Sequence, residues 1–169
     1  PVRSVFRLDF TRWDVLGTKV DVHETVTIWA GKNGYEEEIR TSPLPENAVL
    51  VTGLVGNNNT KEFVEKQYAG KWVSMITHDK QTVNKDYELG MALLIPKDQL
   101  VETFHAPDEG NGILKTWCAK LKPGNNGYRY QVYAGWELGV DDFSKREEFI
   151  RLVDTEAGYL NHPVSIHIN

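Results

Sequence analysis

An alternation of apolar and polar residues with a period of two is the feature that most limits how this 169-residue chain can fold. In the opening run, VRSVFRLDF, the side chains of Phe6, Leu8 and Phe10 fall on one face, and those of Arg7 and Asp9 fall on the other. The run KVDVHETVTIWAG alternates in the same way. Because successive side chains of a strand point to opposite faces of a sheet, both runs are predicted to be half-buried β-strands.

Similar runs of β-branched and aromatic residues continue along the chain. Further strands are predicted at Tyr35–Thr41, Ala48–Val55, Trp72–Thr77, Leu89–Ile95, Val101–His105, Ile113–Leu121, Tyr128–Trp136 and Val164–Ile168. The segments between them are rich in turn-forming residues, as in KNG, SPLPEN, PDEGNG and KPGNNG. The segment PGNNGY lies between two β-rich runs and predicts a hairpin loop.

One helical pattern follows the last long strand, in DDFSKREEFIRLVDTEAGYL. Ser144 precedes Glu147 by three residues, which is the spacing of a capping box and predicts the start of a helix. A shorter helical turn is predicted at Asn59–Gln67. The residues predicted to face the core from the long helix are Phe149, Ile150, Leu152, Val153, Glu156 and Ala157.

Frequent strands followed by one late helix predict a mainly β fold. We expect an antiparallel β-sandwich, of the supersandwich type, with one C-terminal amphipathic helix. A parallel α/β fold is not expected, because helices do not alternate with the strands. The length suits a single domain over residues 1–169. Because the first residue is Pro1 rather than Met, we expect a chain that has lost a leader or is a segment of a longer protein.

Charge and cysteine content exclude several kinds of partner and site. The net charge is −5 with acidic and basic residues well mixed, so neither a nucleic acid nor a membrane is expected as a partner. Cys118 is the only cysteine, which rules out an intramolecular disulfide and a zinc site built from paired cysteines. The five Trp and seven Tyr residues suit either a core or the walls of a ligand site.

The first polar cluster that could carry chemistry is Thr77-His78-Asp79-Lys80-Gln81, between two apolar runs. A histidine can serve as general acid or base near neutral pH, and a lysine can bind the carboxylate of a substrate. Neighbouring side chains on an extended chain point in opposite directions, so His78 and Lys80 are expected to share a face without Asp79. The alternative is a polar strand end that does no chemistry.

The second cluster lies in the glycine-containing run FHAPDEGNG. His105 precedes Asp108 and Glu109 by three and four residues, a spacing that could gather metal ligands. No helical His-Glu-x-x-His pattern accompanies it, so a solvated loop is the preferred interpretation and no metal site is predicted.

The third cluster is YRYQVYAGWELG, in which Arg129, Gln131, Tyr133 and Glu137 share one face of a predicted strand. A cation, an amide, a phenol and a carboxylate in a row can bind the hydroxyl groups of a sugar, and Trp136 could stack on its ring. The alternative is an exposed polar face with core aromatic residues behind it. We also expect the rings of His78 and Trp136 to lie on the same polar side of the sandwich.

The remaining histidines are weaker candidates: His23, His162 and His167 have no chemical neighbour that forms a known pattern. The chain has no nucleophile elbow, no local Ser/His/Asp signature and no phosphate-binding glycine loop. The sequence therefore points to no particular cofactor.

Several blocks of the sequence together resemble a bacterial family that carries a domain-of-unknown-function label. They are PVRSVFRLDF, TIWAG, LVTGLV, THDKQ, LGMALLIPKD, APDEGNGI and YAGWEL, in this order. The blocks cover nearly all of the chain and are similar to the C-terminal part of family members that are usually longer. The resemblance implies a sandwich like that of galactose mutarotase and of the β-domains of polysaccharide lyases.

Members of the family are typically encoded in Bacteroidetes near genes for the breakdown of pectin and other uronate glycans, and many begin with export signals. The resemblance therefore implies a carbohydrate-related protein in the periplasm or outside the cell. No catalytic residue transfers from the family. Its blocks contain His78, Asp79, Lys80, Gln81, His105, Glu109, Trp136 and Glu137.

The first function to expect is that of an enzyme acting on acidic, uronate-containing glycans, such as a polysaccharide lyase. In a lyase a base removes the proton α to the carboxylate, and a cation neutralises that carboxylate. His78 would be the base, Lys80 or Arg129 the cation, and Glu137 or Glu109 a further acid.

Two non-catalytic functions remain open beside the enzyme. The chain could be a glycan-binding sandwich that stacks a sugar on Trp136 and Tyr133. It could also be a structural domain whose groove forms only with a missing N-terminal segment of the same protein. In each case the partner is an oligosaccharide or polysaccharide. The residues predicted to contact it are Asp79, Gln81, His105, Glu109, Arg129, Tyr133 and Trp136.

Overall fold

The computed structural model describes residues 2–56, 61, 63–68, 70–81 and 86–164. Within these residues the strands are β1 (Arg3–Val15), β2 (Thr18–Trp29), β3 (Gly34–Thr41), β4 (Leu50–Val55), β5 (Val64–Gln67), β6 (Trp72–Asp79), β7 (Leu89–Pro96), β8 (Leu100–His105), β9 (Thr116–Leu121) and β10 (Tyr128–Trp136). A 3₁₀ turn over Asp141–Ser144 precedes the helix α1 (Arg146–Asn161). No helix in this part of the chain has the length and apolarity that a membrane span needs.

The described strands form two antiparallel sheets, as the alternation predicts. The large sheet has the strand order β1-β2-β3-β10-β7-β6-β5, and the small sheet has the order β4-β9-β8. Strand β10 pairs with both β3 and β7, so it joins the N-terminal strands to those from the middle of the chain. The prediction of a mainly β sandwich with one C-terminal helix is confirmed.

The small sheet packs on one side of the large sheet, which we call the inner face. Met75, Leu93 and Ile95 of the large sheet are at most 1% exposed in this core, and Leu54 and Leu121 approach them from the small sheet. Each aliphatic side chain of this kind contributes about 1.5–3 kcal/mol when it is fully buried. The residues of opposite phase on the same strands, such as Ile76 and Leu94, are buried on the other side of the sheet, so β6 and β7 are covered on both faces.

The helix packs on the opposite side of the large sheet, which we call the outer face. Phe149 and Val153 of α1 are fully buried there. Gly90 and Gly135 are register partners on β7 and β10, and a Cβ atom added to either would lie within 3 Å of the Phe149 ring. The two glycines therefore leave the space that the ring of Phe149 occupies.

The helix contacts the large sheet mainly at β6 and β7. The outer face of β1, β2 and β3 lies beyond the helix, and most of its residues are polar. Arg7, Thr25 and Glu38 occupy one row across these three strands, because Arg7 pairs with Thr25 and Thr25 pairs with Glu38. The sheet therefore presents a polar surface beside the helix.

Strand β1 is the edge of the large sheet and differs from its prediction. Every residue from Arg3 to Asp14 is exposed, including Phe6, Leu8 and Phe10 on the inner face. The alternation in β1 is real, but the small sheet does not extend far enough to cover it. The prediction that this strand is half-buried is therefore wrong.

Two helical predictions also need correction. The helix α1 has Lys145 at its N-cap with no side-chain hydrogen bond, so the capping box of Ser144 and Glu147 does not form. Ser144 instead ends the 3₁₀ turn. Residues Val64–Gln67 form strand β5 rather than part of a helical turn, because they pair with β6; residues 57–60 and 62 of that prediction lie outside the described part.

The segment PGNNGY turns tightly, with an isolated bridge between Gly124 and Gly127. The strands on either side of it, β9 and β10, nevertheless belong to different sheets, so the predicted hairpin is wrong. The turn carries the chain from the small sheet to the large one. The last predicted strand, Val164–Ile168, lies outside the described residues except for Val164.

Candidate functional site

His78 occupies a buried position near the end of strand β6, which lies between β7 and the edge strand β5. Its side chain is wholly buried, and its Nε2 atom lies 2.7 Å from the carbonyl oxygen of Phe143 in the 3₁₀ turn. The imidazole ring lies 6.1 Å from the ring of Phe149, between centroids. Because a carbonyl only accepts hydrogen bonds, Nε2 donates here and carries a proton.

Three charged residues surround the other side of His78. The Nδ1 atom lies 3.5 Å from Oε2 of Glu88, and the other oxygen of Glu88 lies 2.8 Å from Nζ of Lys61. Glu137 accepts a hydrogen bond from the backbone amide of Glu88 at 2.7 Å. His78, Glu88, Lys61 and Glu137 therefore form one group, which we call the buried cluster. The sequence pattern points to His78 and Glu137 but misses Lys61 and Glu88.

The buried cluster brings the imidazole of His78 close to the carboxylate of Glu88. Neither His78 Nδ1 nor Glu88 Oε2 has a hydrogen-bond partner among the described residues, and the two atoms lie 3.5 Å apart. With the imidazole enclosed by Phe143 and Phe149, this group ties β6 to the 3₁₀ turn.

The neighbours of His78 in the first predicted cluster hold the backbone at the end of β6. Asp79 is buried, and its two carboxylate oxygens accept hydrogen bonds at 2.8 Å from the backbone amides of Lys61 and Lys80. The amide of Gln81 donates to the carbonyl oxygen of Asp79. Lys80 is exposed. A catalytic role for His78 and Lys80 stays a prediction.

Trp136 lies on the other side of the large sheet from His78. Its neighbour Gly135 faces Phe149 on the outer face, so the alternation of β10 directs Trp136 to the inner side. His78 contacts Phe149 and thus belongs to the outer side. The prediction that these two rings lie on the same side is wrong, because their strands place them in opposite phases of the pleat.

The loop cluster lies apart from both of these residues. His105 ends β8 in the small sheet, where its ring lies 4.5 Å from that of Trp117, and Glu109 is exposed in the following loop. No group of three or more metal-ligating side chains occurs in the part of the chain that the structure describes.

Part of the third predicted cluster lies together on the outer face of β10, namely Arg129, Gln131 and Tyr133, whereas Glu137 belongs to the buried cluster. Arg129 forms an ion pair at 2.5 Å with Glu36 of β3, and the amide nitrogen of Gln131 donates to the same carboxylate at 3.3 Å. The hydroxyl of Tyr133 donates to Gln131 and lies 3.3 Å from Glu156 of the helix. The row of a cation, an amide and a phenol thus extends from the sheet to α1.

A pocket of about 250 Å³ opens above this row, between α1 and the strands β2, β3 and β10. We call it the aromatic pocket. Lys32 lies at its side and binds both carboxylate oxygens of Glu156, at 2.6 and 2.7 Å. The ammonium group of Lys32 also lies 4.8 Å from the ring of Tyr159. Its lining includes Trp29, Lys32, Gln131, Tyr133, Glu156 and Tyr159.

The aromatic pocket has a buried polar floor and exposed aromatic walls. Tyr133 is 3% exposed and Glu156 is 8% exposed, whereas Trp29 and Tyr159 are 46% and 61% exposed. Burial, followed by the nearby Glu156 carboxylate, raises the pKa of the Tyr133 hydroxyl above its usual range. This hydroxyl is therefore a neutral hydrogen-bond donor at physiological pH.

Gly34 is the residue that lets Tyr133 reach the floor of the pocket. A Cβ atom on Gly34 would lie 2.3 Å from the carbonyl oxygen of Val132 and 2.6 Å from the ring of Tyr133. The two strands therefore approach each other only because β3 begins with glycine.

Sequence patterns miss most of the pocket wall. Trp29 does alternate onto the same face of β2 as Thr25 and Thr27, but Tyr159 lies outside the apolar stripe of α1 and Lys32 lies in a loop. Their meeting with Tyr133 depends on β10 pairing with β3, which are far apart in sequence.

A buried acidic residue, Glu37, lies on the inner face of strand β3. Glu37 is 6% exposed, and its Oε1 atom has no hydrogen-bond partner among the described residues. Burial, together with the neighbouring Glu24 carboxylate, raises the pKa of Glu37 to about 7. Glu37 is thus a site that changes charge near neutral pH, on the opposite side of the sheet from the aromatic pocket.

Comparison with known proteins identifies a family. The family model described as "Domain of unknown function (DUF4861)" matches residues 1–166. No curated protein and no solved structure matches the chain significantly. Because the matched region covers nearly the whole sequence, the chain belongs to the family of proteins with the DUF4861 domain.

Proposed function

We propose that this protein binds saccharides, and that the aromatic pocket is its binding site. The observation that carries the proposal is the pairing of exposed aromatic rings with a buried polar floor at the aromatic pocket. A pyranose ring needs an apolar surface for its C–H groups and donors and acceptors for its hydroxyls. Trp29 and Tyr159 supply the first requirement, and Gln131, Tyr133 and Glu156 supply the second.

The polar floor is held in place before any ligand arrives. Glu156 is fixed by Lys32 and Tyr133, and Gln131 is fixed by Tyr133 and Glu36. Such preorganisation lowers the entropy that binding must cost. Ordinary surface polar residues have rotamer freedom, so this network favours a binding site over a solvated face.

The acidic-glycan expectation is consistent with the charges at the pocket. Lys32 and Arg129 lie beside it, although each is also paired with a carboxylate. A lyase reaction at His78 has less support, because the imidazole is wholly buried and contacts Phe143 and Phe149. Binding without turnover is therefore the function that we prefer, and the location outside the cytoplasm stays an expectation from the family resemblance.

Titration calorimetry with a panel of neutral and uronate-containing oligosaccharides tests the proposal. We expect Trp29→Ala and Tyr159→Ala each to weaken binding about tenfold, which corresponds to about 1.4 kcal/mol of lost stacking. Trp136→Ala is the matched control, because Trp136 is also 46% exposed but lies on the inner side of the sheet. Loss of binding only in Trp136→Ala would contradict the proposal.

Mass spectrometry of the saccharide after incubation separates a binding protein from an enzyme. We expect the mass of the saccharide to stay unchanged. A new product that depends on His78 would instead favour the lyase. If none of the saccharides bound the wild-type protein, the proposed function would be wrong.

A further inference from the structure

A second cavity lies on the same outer face as the aromatic pocket, near the other end of strands β1, β2 and β3. It has a volume of about 290 Å³ and is lined by Arg7, His23, Thr25, Glu38 and Arg40. The strand register places Asp9, His23 and Arg40 side by side across the sheet, because Asp9 pairs with His23 and His23 pairs with Arg40. We call it the charged cavity.

Three groups in and beside this cavity already bind one another. Nε of Arg7 donates to Asp9 at 2.8 Å, and the Nδ1 atom of His23 forms a close hydrogen bond to the same carboxylate oxygen. These contacts lower the pKa of Asp9, with the bond from His23 as the largest cause. Asp9 therefore stays ionised and orients the imidazole of His23.

Arg40 differs from Arg7 because its guanidinium group is not engaged. Within the described residues Arg40 makes no side-chain hydrogen bond and no ion pair, although it is exposed at the cavity. Arg129, on the same face, is by contrast paired with Glu36. A guanidinium group offers a planar fork of donors that matches a carboxylate.

We propose that the charged cavity binds the carboxylate of an acidic saccharide through Arg40. The aromatic pocket binds another sugar ring of the same saccharide. The proposal rests on the saccharide binding proposed above and adds the chemical class of the ligand. Glu38 and Thr25 lie beside Arg40 and can bind hydroxyl groups of the same sugar.

The charge balance of the cavity favours a carboxylate over a phosphate monoester. Arg7 is offset by Asp9, so Arg40 is the cation left for a ligand, and Glu38 stands two residues away on the same face of β3. A phosphate monoester carries a charge between −1.5 and −2 at neutral pH, which a single guanidinium group offsets only in part, whereas the same group offsets the single charge of a carboxylate.

The distance between the two cavities requires a ligand of several sugar units. Trp29 and His23 are six residues apart on β2, which corresponds to about 20 Å along the strand. Thr25 and Thr27 lie between them on the same face, with Thr27 buried, and the helix α1 contacts mainly β6 and β7. An oligosaccharide that spans this distance can reach both cavities.

The test compares one oligosaccharide in two chemical forms, oligogalacturonate and its fully carboxyl-methylated ester. We expect the wild-type protein to bind the acid form about fivefold more tightly than the ester, as one exposed ion pair allows. Arg40→Gln should remove this preference, so that the acid and the ester bind with the same affinity. Arg151→Gln is the control, because Arg151 is an exposed arginine that pairs with Glu148 on α1.

Each outcome of the comparison is informative. Equal affinities of the wild-type protein for acid and ester would overturn the carboxylate site and leave saccharide binding in place. A preference that persists in Arg40→Gln would overturn the role of Arg40. If neither form bound, and no neutral oligosaccharide bound either, the proposed function itself would fail together with this inference. Circular dichroism of Arg40→Gln checks that the variant is folded.

Discussion

The buried cluster around His78 and the aromatic pocket around Tyr133 contain similar residue types but use them differently. In the buried cluster the imidazole is enclosed, and its partners come from the 3₁₀ turn and the adjacent loops. In the aromatic pocket the polar groups form a floor below rings that are about half exposed. The first arrangement ties parts of the fold together, and the second leaves a surface for a ligand.

This comparison shows that local residue chemistry does not distinguish a structural polar cluster from a binding site. A structural polar cluster is covered by protein on all sides, whereas the polar groups of a binding site face an open pocket on one side. The clearest consequence is a separation of effects: changes in the buried cluster should alter stability, and changes in the aromatic pocket should alter binding.

The largest effect is expected for His78→Ala. The change leaves a cavity beside Phe149 and removes the donor to the carbonyl of Phe143, so we expect a loss of about 2–4 kcal/mol in the free energy of unfolding. Urea denaturation measures it. His105→Ala is the control, with a loss below about 1 kcal/mol at its more exposed position. If His78→Ala were as stable as the wild type, the buried cluster would not be structural.

A second test asks what happens when a buried polar group has no partner. The pKa of Glu37 is about 7 in the fold against 4.5 ordinarily, so the folded state binds more protons between these values. Its contribution to stability therefore falls as the pH rises from about 4.5 to about 7. We expect Glu37→Gln to be about 1–3 kcal/mol more stable than the wild type at pH 8 and similar to it at pH 4.

The control for that test is Glu38→Gln, one residue away on the more exposed outer face. It should show no comparable gain at pH 8. Thermal unfolding at both pH values provides the measurement, and an equal effect in the two variants would contradict the assignment of the raised pKa to Glu37.

A third test displaces Tyr133, which forms part of the floor of the aromatic pocket. In Gly34→Ala the new methyl group would press on Val132 and Tyr133, so the strands must separate slightly. We expect a loss of about 1–3 kcal/mol in stability from overpacking. Saccharide affinity should fall as well, because Tyr133 moves. Calorimetry on the folded variant would show unchanged affinity if the floor were not part of the site.

The smallest effect is expected at Gly158 on α1, the helix that contributes to both regions. A Cβ atom at this position would meet nothing within 4 Å. Gly158→Ala should therefore stabilise the protein by about 0.5–1 kcal/mol through helix propensity alone, with saccharide affinity unchanged. A decrease in the midpoint of thermal unfolding would show that the helix is not packed as described.

Much of the fold follows from local patterns in the sequence. The period of two places most strands within a few residues of their observed bounds, and Tyr128–Trp136 is predicted without error. The apolar stripe of α1 is also correct, since Phe149, Val153 and Ala157 are buried. These two elements are predicted well because one face of each packs in the core and the other is more exposed, so their residue types follow the period of the element.

The remainder depends on which strands become neighbours. No local pattern in the sequence indicates that β9 and β10, on either side of PGNNGY, belong to different sheets. Nor does any local pattern indicate that β1 lies at an uncovered edge. The same limit applies to the candidate site, because Trp29 and Tyr133 meet only through the pairing of β3 with β10. His78 and Trp136 fail to meet for the corresponding reason.

The exposed edge strand β1 also has a consequence for isotope exchange. The carbonyl oxygen of Val2 accepts a hydrogen bond from the amide of Ala30, so alternate residues from Val2 onward direct their backbone groups to β2. The residues between them, such as Val5 and Arg7, direct their amides away from the sheet. Deuterium should therefore enter β1 at every second residue, and the same open amides would allow the sheet to accept one more strand.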